Sequence, residues 1–276
     1  MISTYTLTKS EIIIKKGMIV LILLTGSLFS FGQDIEISKE EQFENWNFRI
    51  GPYFWFLGIK GTIEKPPTPS NYPEPEPSYD IDIPFQDVKN SLKFAFLLAS
   101  EYRKDRFLAT INFTSFILQG SAISPLDLAA QNIEYRLGFA SGEAMAGYRI
   151  LKKKKFKIDG LGGLKFIYFK IGGSTDIINS FPLEGERDKM WIDPIFALRF
   201  VYIPHYRVEF VTYADLGPFQ SDNILSYQFI GAVNILISKW LYVSPGYRYW
   251  SVNTNKNEAI FNGQMLGFHI RLGAQF

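Results

Sequence analysis

The sequence of 276 residues contains no cysteine and only two histidines, His205 and His269. The absence of cysteine excludes disulfide frameworks, thiolate metal ligands and a thiol nucleophile. Two histidines are too few for a histidine-rich metal site, so we expect neither a metal nor another cofactor. Charge is also nearly balanced, since 29 basic and 27 acidic residues give a net charge of +2. This balance gives no electrostatic reason to expect a nucleic-acid partner.

Long apolar runs are also scarce, and the clearest one lies near the start of the chain. Lys15 and Lys16 precede an apolar run from Met18 to Leu28, and small residues follow before Gln33. The run is too short for a membrane-spanning helix, which needs about 20 residues. The pattern predicts a secretory signal peptide over 1–32. We expect 33–45 to be a flexible periplasmic segment; the alternative for the leader is a retained N-terminal anchor.

Aromatic residues, in contrast, are abundant: 25 Phe and 15 Tyr accompany only 20% charged residues. From Trp46 onward, apolar residues recur at period two in segments separated by alternately short and long connections. Transmembrane barrels have short turns on one side and longer loops on the other. We therefore predict that 46–276 is an all-β domain. The predicted architecture is a single up-and-down antiparallel transmembrane β-barrel of about 10 strands, within a range of 8 to 12.

The first long connection holds seven of the 14 prolines. Such a stretch is extended and cannot pair regularly with neighbours. It predicts a long external loop over 60–90, with a helical turn near Asp87–Asn90. A solvated spacer and a ligand-binding loop are both open interpretations. Aromatic residues near strand ends predict interfacial girdles; these are Trp46, Tyr168, Trp191, Tyr202, Trp240 and Trp250.

Strand parity also assigns residues to the lumen. The candidate lumen charge network comprises Arg49, Glu101, Arg103, Glu134, Arg136, Arg199, Glu209, Asp215, Arg248, His269 and Arg271. The same parity places Asp159 and Lys165 inside. Charges in a narrow barrel must be paired or hydrated, so we expect Arg199, Arg248 and Arg271 to face Glu209 and Asp215. The network is either a plug that closes the barrel or the lining of a narrow polar pore.

Three runs of residues resemble a family of small Gram-negative outer-membrane β-barrel proteins of unknown function. These are Trp46 with Gly51-Pro-Tyr-Phe-Trp55 and Gly58-Ile-Lys-Gly61, then Ser238-Lys-Trp-Leu with Gly246-Tyr-Arg-Tyr-Trp250, and finally Gly267, Leu272 and Phe276. The resemblance implies a fold and an outer-membrane location with both termini periplasmic, and no chemistry. The Pro-rich first loop departs from the usual pattern.

The same resemblance implies partners. A terminal Phe276, with Leu272, Ile270 and Phe268 on the apolar face, is similar to the signal read by the barrel-assembly machinery. Outer-membrane lipid and lipopolysaccharide are the other expected partners. The oligomeric state has no signal in the sequence.

These features favour a structural protein or a narrow small-solute channel with a charged, largely filled lumen. We expect no enzyme and assign no catalytic residue, because no spacing selects a nucleophile for His269 as a general base. The alternatives are a barrel enzyme acting on lipid and a secreted lipocalin-like binding protein. Rows of phenylalanine at positions 54, 56, 94 and 96 argue against a soluble binder, whose outward face should be polar.

Overall fold

The computed structural model describes residues 46–64, 78–123, 132–175, 183–217, 225–253 and 262–276. The predicted signal peptide 1–32 and the segment 33–45 lie outside these residues. The strands are β1 (Phe48–Glu64), β2 (Ser78–Ile83), β3 (Leu92–Lys104), β4 (Phe107–Ile123), β5 (Asn132–Lys152), β6 (Phe156–Thr175), β7 (Leu183–His205), β8 (Val208–Gly217), β9 (Leu225–Leu236), β10 (Leu241–Asn253) and β11 (Asn262–Gln275). One helix, α1 (Phe85–Ser91), lies between β2 and β3. No helix among the described residues is long and apolar enough to cross a membrane.

Ten of these strands close into a barrel. Strands β3 to β11 pair antiparallel in sequence order, β1 pairs with β3, and β11 pairs back with β1 from Arg49↔Gln275 to Thr62↔Asn262. Closure leaves the barrel no free sheet edge along this seam, which is how strands can cross a membrane. The structure confirms the predicted single up-and-down antiparallel barrel of about ten strands.

Period-two alternation decides which side chains face outward. On β11, Phe268 is 67% exposed and Leu272 is 53% exposed, whereas His269 between them is buried. On β1, Phe54 is 73% exposed and its neighbour Tyr53 is buried. Successive side chains of a strand point to opposite faces, so each strand presents apolar residues to its surroundings. This wide exposed apolar surface is typical of a barrel that lies in lipid.

The two ends of the barrel differ. One end, called here the turn side, carries the short connections of the hairpins and the ends of β1 and β11. Its β3–β4 connection is a two-residue turn with Asp105 at φ 55°, a conformation that aspartate tolerates better than most residues. At the opposite, loop side, β5, β6 and β7 are 21, 20 and 23 residues long. These lengths exceed the 9 to 11 residues that a tilted crossing requires, so the hairpins continue past the apolar belt.

The seam between β1 and β3 is short. Their pairing runs only from Phe48↔Tyr102 to Pro52↔Leu98. Proline has no N–H to donate to a ladder, and Pro52 is the last residue of β1 that pairs with β3. Beyond Pro52, β2 pairs with the distal part of β1, and α1 leads into β3.

The stretch predicted as an external loop over 60–90 therefore contains regular structure. Residues 60–64 continue β1, and β2 and α1 occupy 78–83 and 85–91. The proline-dense residues 65–77 lie outside the described part of the chain. The predicted helical turn at Asp87–Asn90 belongs to α1, whose Val88 is buried inside the barrel.

The predicted aromatic girdle is only partly correct. Tyr202 and Trp240 are exposed, and Tyr168 is half-buried. Trp46 and Trp250 are instead almost fully buried, and Trp191 packs against an interior apolar cluster. The prediction was wrong for these three because aromatic residues also fill the lumen. Trp46 precedes the first residue of β1, so strand parity does not apply to it.

Candidate functional site: the barrel lumen

The lumen holds two groups of charged and polar side chains. The turn-side cluster consists of Arg49, Glu101, Arg103, Arg149, Asp159, Arg199, Glu209 and Asn234. Arg199 connects most of it: its guanidinium donates to Glu101 at 2.8 and 2.9 Å and to Asp159 at 2.7 and 2.9 Å. Arg149 donates to the same Asp159 at 2.7 Å. Guanidinium groups match carboxylates in this forked geometry.

Other members tie the turn-side cluster to the barrel wall. Arg49 donates to Glu209 at 2.9 Å, and Asn234 donates to the same carboxylate at 3.1 Å. The Arg49 and Arg103 guanidinium carbons lie 4.0 and 3.9 Å from the Trp46 ring centre. Trp46 therefore stacks with two cations at the turn side of the lumen.

The central cluster lies nearer the loop side and consists of Tyr53, Thr114, Glu143, Lys165, Asp215, Gln228 and Arg248. Lys165 Nζ is 2.6 Å from Asp215 and 3.4 Å from Glu143. Asp215 accepts from Gln228 at 2.7 Å, and the Gln228 carbonyl accepts from Arg248 at 2.6 Å.

Contacts to Tyr53 extend the central cluster to the opposite wall of the barrel. Arg248 donates to the Tyr53 hydroxyl at 2.8 Å, and that hydroxyl is 2.6 Å from Thr114 Oγ1. The cluster joins β1, β4, β5, β6, β8, β9 and β10, seven of the ten barrel strands. Because partners far apart in sequence meet here, the cluster cross-links the wall across the lumen.

An apolar layer follows toward the loop side. It consists of Leu57, Ile59, Val88, Phe116, Leu118, Phe139, Ile167, Phe169, Trp250, Val252 and Met265. The Phe139 ring is at its centre, 4.9 Å from Phe116, 4.9 Å from Phe169 and 5.3 Å from Trp250. The Trp250 indole N–H donates to Ser226 at 3.0 Å, so this large side chain is both packed and hydrogen-bonded.

A cavity of about 100 Å³ lies beside the turn-side cluster. Its walls include Arg49, Glu101, Arg103, Arg199 and Glu209 of that cluster. His269 and Arg271 of β11, which belong to neither cluster, also line it. A second, basic depression lies at the turn-side mouth and shares Arg103 with the cavity.

Most residues of the predicted lumen network do lie inside, but their pairing differs from the expectation. Arg199 pairs with Glu101 and Asp159, and Arg248 approaches Glu143 at 3.8 Å. Glu209 and Asp215 pair with Arg49 and Lys165 instead. Arg271 forms no ion pair with a described carboxylate. Parity fixes a face, whereas the partner across a lumen depends on strand register and stagger, which the sequence does not reveal.

Two members of the predicted lumen network, Glu134 and Arg136, lie near the loop side of β5. Arg136 is exposed on the outer face, while its neighbour Leu137 and then Phe139 pack in the apolar layer. Its assignment to the lumen was wrong because the lumen at that height is apolar, so the apolar side of β5 turns inward there. The Glu134 side chain lies outside the described side chains.

Sequence reasoning missed several central members. Glu143 and Arg149 follow Ser141-Gly142, where small residues blur the period-two alternation of β5. The register through 141–142 is continuous, and an irregularity lies between Arg149 and Leu151. Both residues share a strand face with Leu137 and Phe139, whose apolar side chains indicated contact with lipid, so extending that parity would have placed them on the outer face. Tyr53, Thr114 and Gln228 carry no charge and gave no signal.

His269 lies against a neighbouring strand and an aromatic ring. A Cβ on Gly246 would lie 2.5 Å from its Cε1, so the absence of a side chain at 246 makes room for the imidazole. Its ring meets Tyr53 edge-on with centres 6.4 Å apart. Among the described residues no group of three or more His, Asp or Glu is placed to hold a metal ion.

No family model matches the chain, and no curated protein matches it. Solved structures to which it is similar include the outer-membrane protease OmpT from Escherichia coli, with 10% identity, coverage of 83% of this chain and 95% of that one, and a TM-score of 0.46. The translocator domain of the autotransporter NalP from Neisseria meningitidis has 8% identity, 97% coverage of both chains and a TM-score of 0.48. The outer-membrane protein OprG from Pseudomonas aeruginosa has 9% identity, 84% and 96% coverage, and a TM-score of 0.35. By its own closure, register and exposed apolar face, the chain has the fold of a Gram-negative outer-membrane β-barrel, as the sequence motifs suggested.

Proposed function

We propose that this protein is an exported, integral outer-membrane barrel whose lumen is closed, and that it serves a structural role in the cell envelope. The observation that carries the proposal is the stacking of the central cluster under the apolar layer. A hydrated pore needs a continuous polar path, whereas here rings centred on Phe139 cover the cross-linked charges.

Single-channel recording in planar lipid bilayers tests the closed state. The wild-type barrel should give no conductance steps above the lipid background. A double variant, Phe139→Ala with Trp250→Ala, should introduce steps because it removes two large side chains from the apolar layer. The matched control, Phe54→Ala with Phe196→Ala, removes two exposed phenylalanines from the outer face and should stay silent. Regular steps from the wild type would contradict the proposal.

A narrow passage for small polar solutes is the second candidate. The cavity beside the turn-side cluster and the basic mouth that shares Arg103 favour it, because together they provide a polar path into part of the lumen. Liposome swelling with sugars and amino acids of increasing size tests this candidate. If liposomes with the wild-type protein swell in small solutes and do not swell in larger ones, the result supports a narrow passage and contradicts the closed barrel.

We propose no enzymatic activity. The His269 imidazole is buried in the lumen against Gly246, away from the lipid-facing surface on which a lipid substrate would lie. The alternative of a lipid-modifying enzyme predicts that His269→Ala changes the lipid profile of the membrane. An unchanged profile by mass spectrometry would exclude that alternative.

We infer the location of the protein from its predicted signal peptide and from the two ends of the barrel. A signal peptide over 1–32 would export the chain, and the short connections together with the ends of β1 and β11 would face the periplasm. Phe276 is exposed at the turn side with Phe268, Ile270 and Leu272 on the same outward face, as a signal for the barrel-assembly machinery would be. Lipid and lipopolysaccharide would surround the apolar belt. Membrane fractionation should recover heat-modifiable protein in the outer membrane, and Phe276→Ala should lower that yield.

A further inference from the structure

The cavity beside the turn-side cluster has features of a binding site that a filled lumen does not require. Its volume of about 100 Å³ exceeds the space of a single water several-fold. Residues from separate strands converge on it, including Arg103, Thr110, His269 and Arg271. These four belong to β3, β4 and β11 and come together only when the barrel closes.

Each of these four residues has a polar atom without a hydrogen-bond partner in the described part of the chain. The atoms are Arg103 Nε, Thr110 Oγ1, His269 Nδ1 and Arg271 Nε. Arg103, Thr110 and His269 are 6%, 9% and 4% exposed, so bulk water does not solvate them freely. Buried polar groups in folded proteins are almost always hydrogen-bonded. The unpartnered atoms therefore indicate a ligand that forms hydrogen bonds with them.

The charge around the cavity determines whether the bound ligand should be an anion or a cation. Among the described residues, four arginines (Arg49, Arg103, Arg149 and Arg199) share the carboxylates of Glu101, Asp159 and Glu209, and Arg271 adds a fifth positive charge. The excess is two positive charges. Arg103 shares Glu101 with Arg199, and Arg271 lacks a carboxylate partner in the described chain. Positive charge enclosed in this way is stabilised by an anion.

The type of hydrogen-bond donor narrows the chemical class of the ligand further. Two guanidinium Nε–H groups, a hydroxyl and an imidazole from three strands line the same cavity, and this set of groups suits a ligand with several acceptor oxygens rather than a halide. Guanidinium groups favour carboxylate and phosphate oxygens in particular. We propose that the cavity binds one small oxyanion, such as inorganic phosphate, sulfate or a short carboxylate, on Arg103, Thr110, His269 and Arg271.

A basic entrance leads toward this site. The turn-side mouth is lined by Trp46, Arg103, Asp105, Arg149, Lys152 and Lys157, with Asn47. Four cations and one carboxylate there raise the local concentration of anions. Arg103 lines both the mouth and the cavity, so it can pass an anion from one to the other. Binding at the site requires no path through the apolar layer and is therefore independent of whether the barrel conducts.

Titration calorimetry on the refolded full-length barrel in detergent micelles, with inorganic phosphate at low ionic strength, tests the proposal. The wild type should bind about one phosphate per barrel. Arg271→Gln should weaken binding by at least about tenfold, because it removes a charged donor without leaving a carboxylate unpaired. The matched control, Arg207→Gln, lies in an exposed turn and should bind as the wild type does. Heat-dependent gel mobility checks that each variant is folded.

A second variant keeps the test decisive if Arg271→Gln does not fold. Thr110→Val is nearly isosteric, removes only a hydroxyl, and should weaken phosphate binding several-fold. Sulfate and acetate titrations in the same assay distinguish a phosphate site from a carboxylate site. Absence of binding by the folded wild type for all three anions would overturn the proposal. So would phosphate binding that is unchanged in the folded cavity variants.

Discussion

At the scale of single residues, burial determines what an ion pair contributes. Lys165 is fully enclosed between Asp215 and Glu143 in the central cluster. Lys60, in contrast, pairs with Asp82 at 3.1 Å while their side chains are 51% and 66% exposed. Water solvates an exposed pair in both folded and unfolded states, whereas a buried charge that loses its partner cannot regain water.

The first prediction compares these two lysines. Lys165→Ala should lower the free energy of unfolding by about 3–5 kcal/mol, because it leaves the buried Asp215 without its cation and Glu143 with only the more distant Arg248. Lys60→Ala should lower it by less than about 1 kcal/mol. Urea titration of the barrel in lipid vesicles, followed by tryptophan fluorescence, gives both values. Equal losses for the two variants would show that the central cluster is hydrated.

Outside β5, the sequence could predict which charged residues face inward but not which residues meet. Parity placed Arg49, Arg199 and His269 inside, because a strand alternates faces without exception as long as its register holds. It gave the wrong partner for Arg199, since Glu101 lies 98 positions away and meets it only across the closed lumen. Uncharged Tyr53 escaped notice for a related reason: its role comes from position rather than side-chain class.

At the scale of elements, the β1–β3 seam is the irregular part of the wall. The ladder between them ends at Pro52, and α1 follows β2 where a complete barrel would continue pairing. Val88 of α1 inserts into the apolar layer, and Phe85 contacts Phe56 on the outside with ring centres 5.2 Å apart. The helix is thus held on one side by the interior and on the other by an exposed ring, and it completes the wall without strand pairing.

The second prediction tests this packing of α1. Val88→Asp should destabilise the barrel, because a carboxylate would enter the apolar layer without a partner. Lys89→Asp places the same carboxylate on the next residue, which is exposed, and should have little effect. The temperature at which the heat-modifiable band disappears on gels compares the two. If both variants melt like the wild type, α1 does not contribute to the wall.

Element boundaries show where periodicity stops being informative. Strand existence and order were predictable because each outward face had to be apolar. The added strand β2 was not, since Pro-rich sequence precedes it and its six residues pair only with the end of β1. The faces near the loop side of β5 were reversed for a different reason. Where the lumen is lined by Phe139 and Leu137, an apolar residue no longer signals contact with lipid.

At the scale of the whole molecule, the barrel has two apolar regions with different environments. One surrounds it as an exposed belt that includes Phe54, and the other is the apolar layer inside. In the sequence, the two apolar regions can be told apart in only one way. Residues of the exposed belt alternate with the buried charged residues of a strand, whereas residues of the apolar layer share their face. Trp55 illustrates the distinction: it packs against the apolar layer, and the Arg248 guanidinium carbon lies 4.7 Å from its ring centre.

The third prediction places adjacent residues on opposite sides of the wall. One variant keeps Trp55 and has phenylalanine in place of the other four tryptophans. The second also carries Phe54→Trp and Trp55→Phe, so that its single indole occupies the outward position. Lipids brominated on their acyl chains should quench the second variant strongly and the first weakly, because quenching requires contact and only position 54 faces outward. Steady-state fluorescence in vesicles with and without brominated lipid measures the ratio. Equal quenching would mean that both indoles reach lipid. The assignment of an inner and an outer face would then fail for β1 and for β3 and β11, which pair with it.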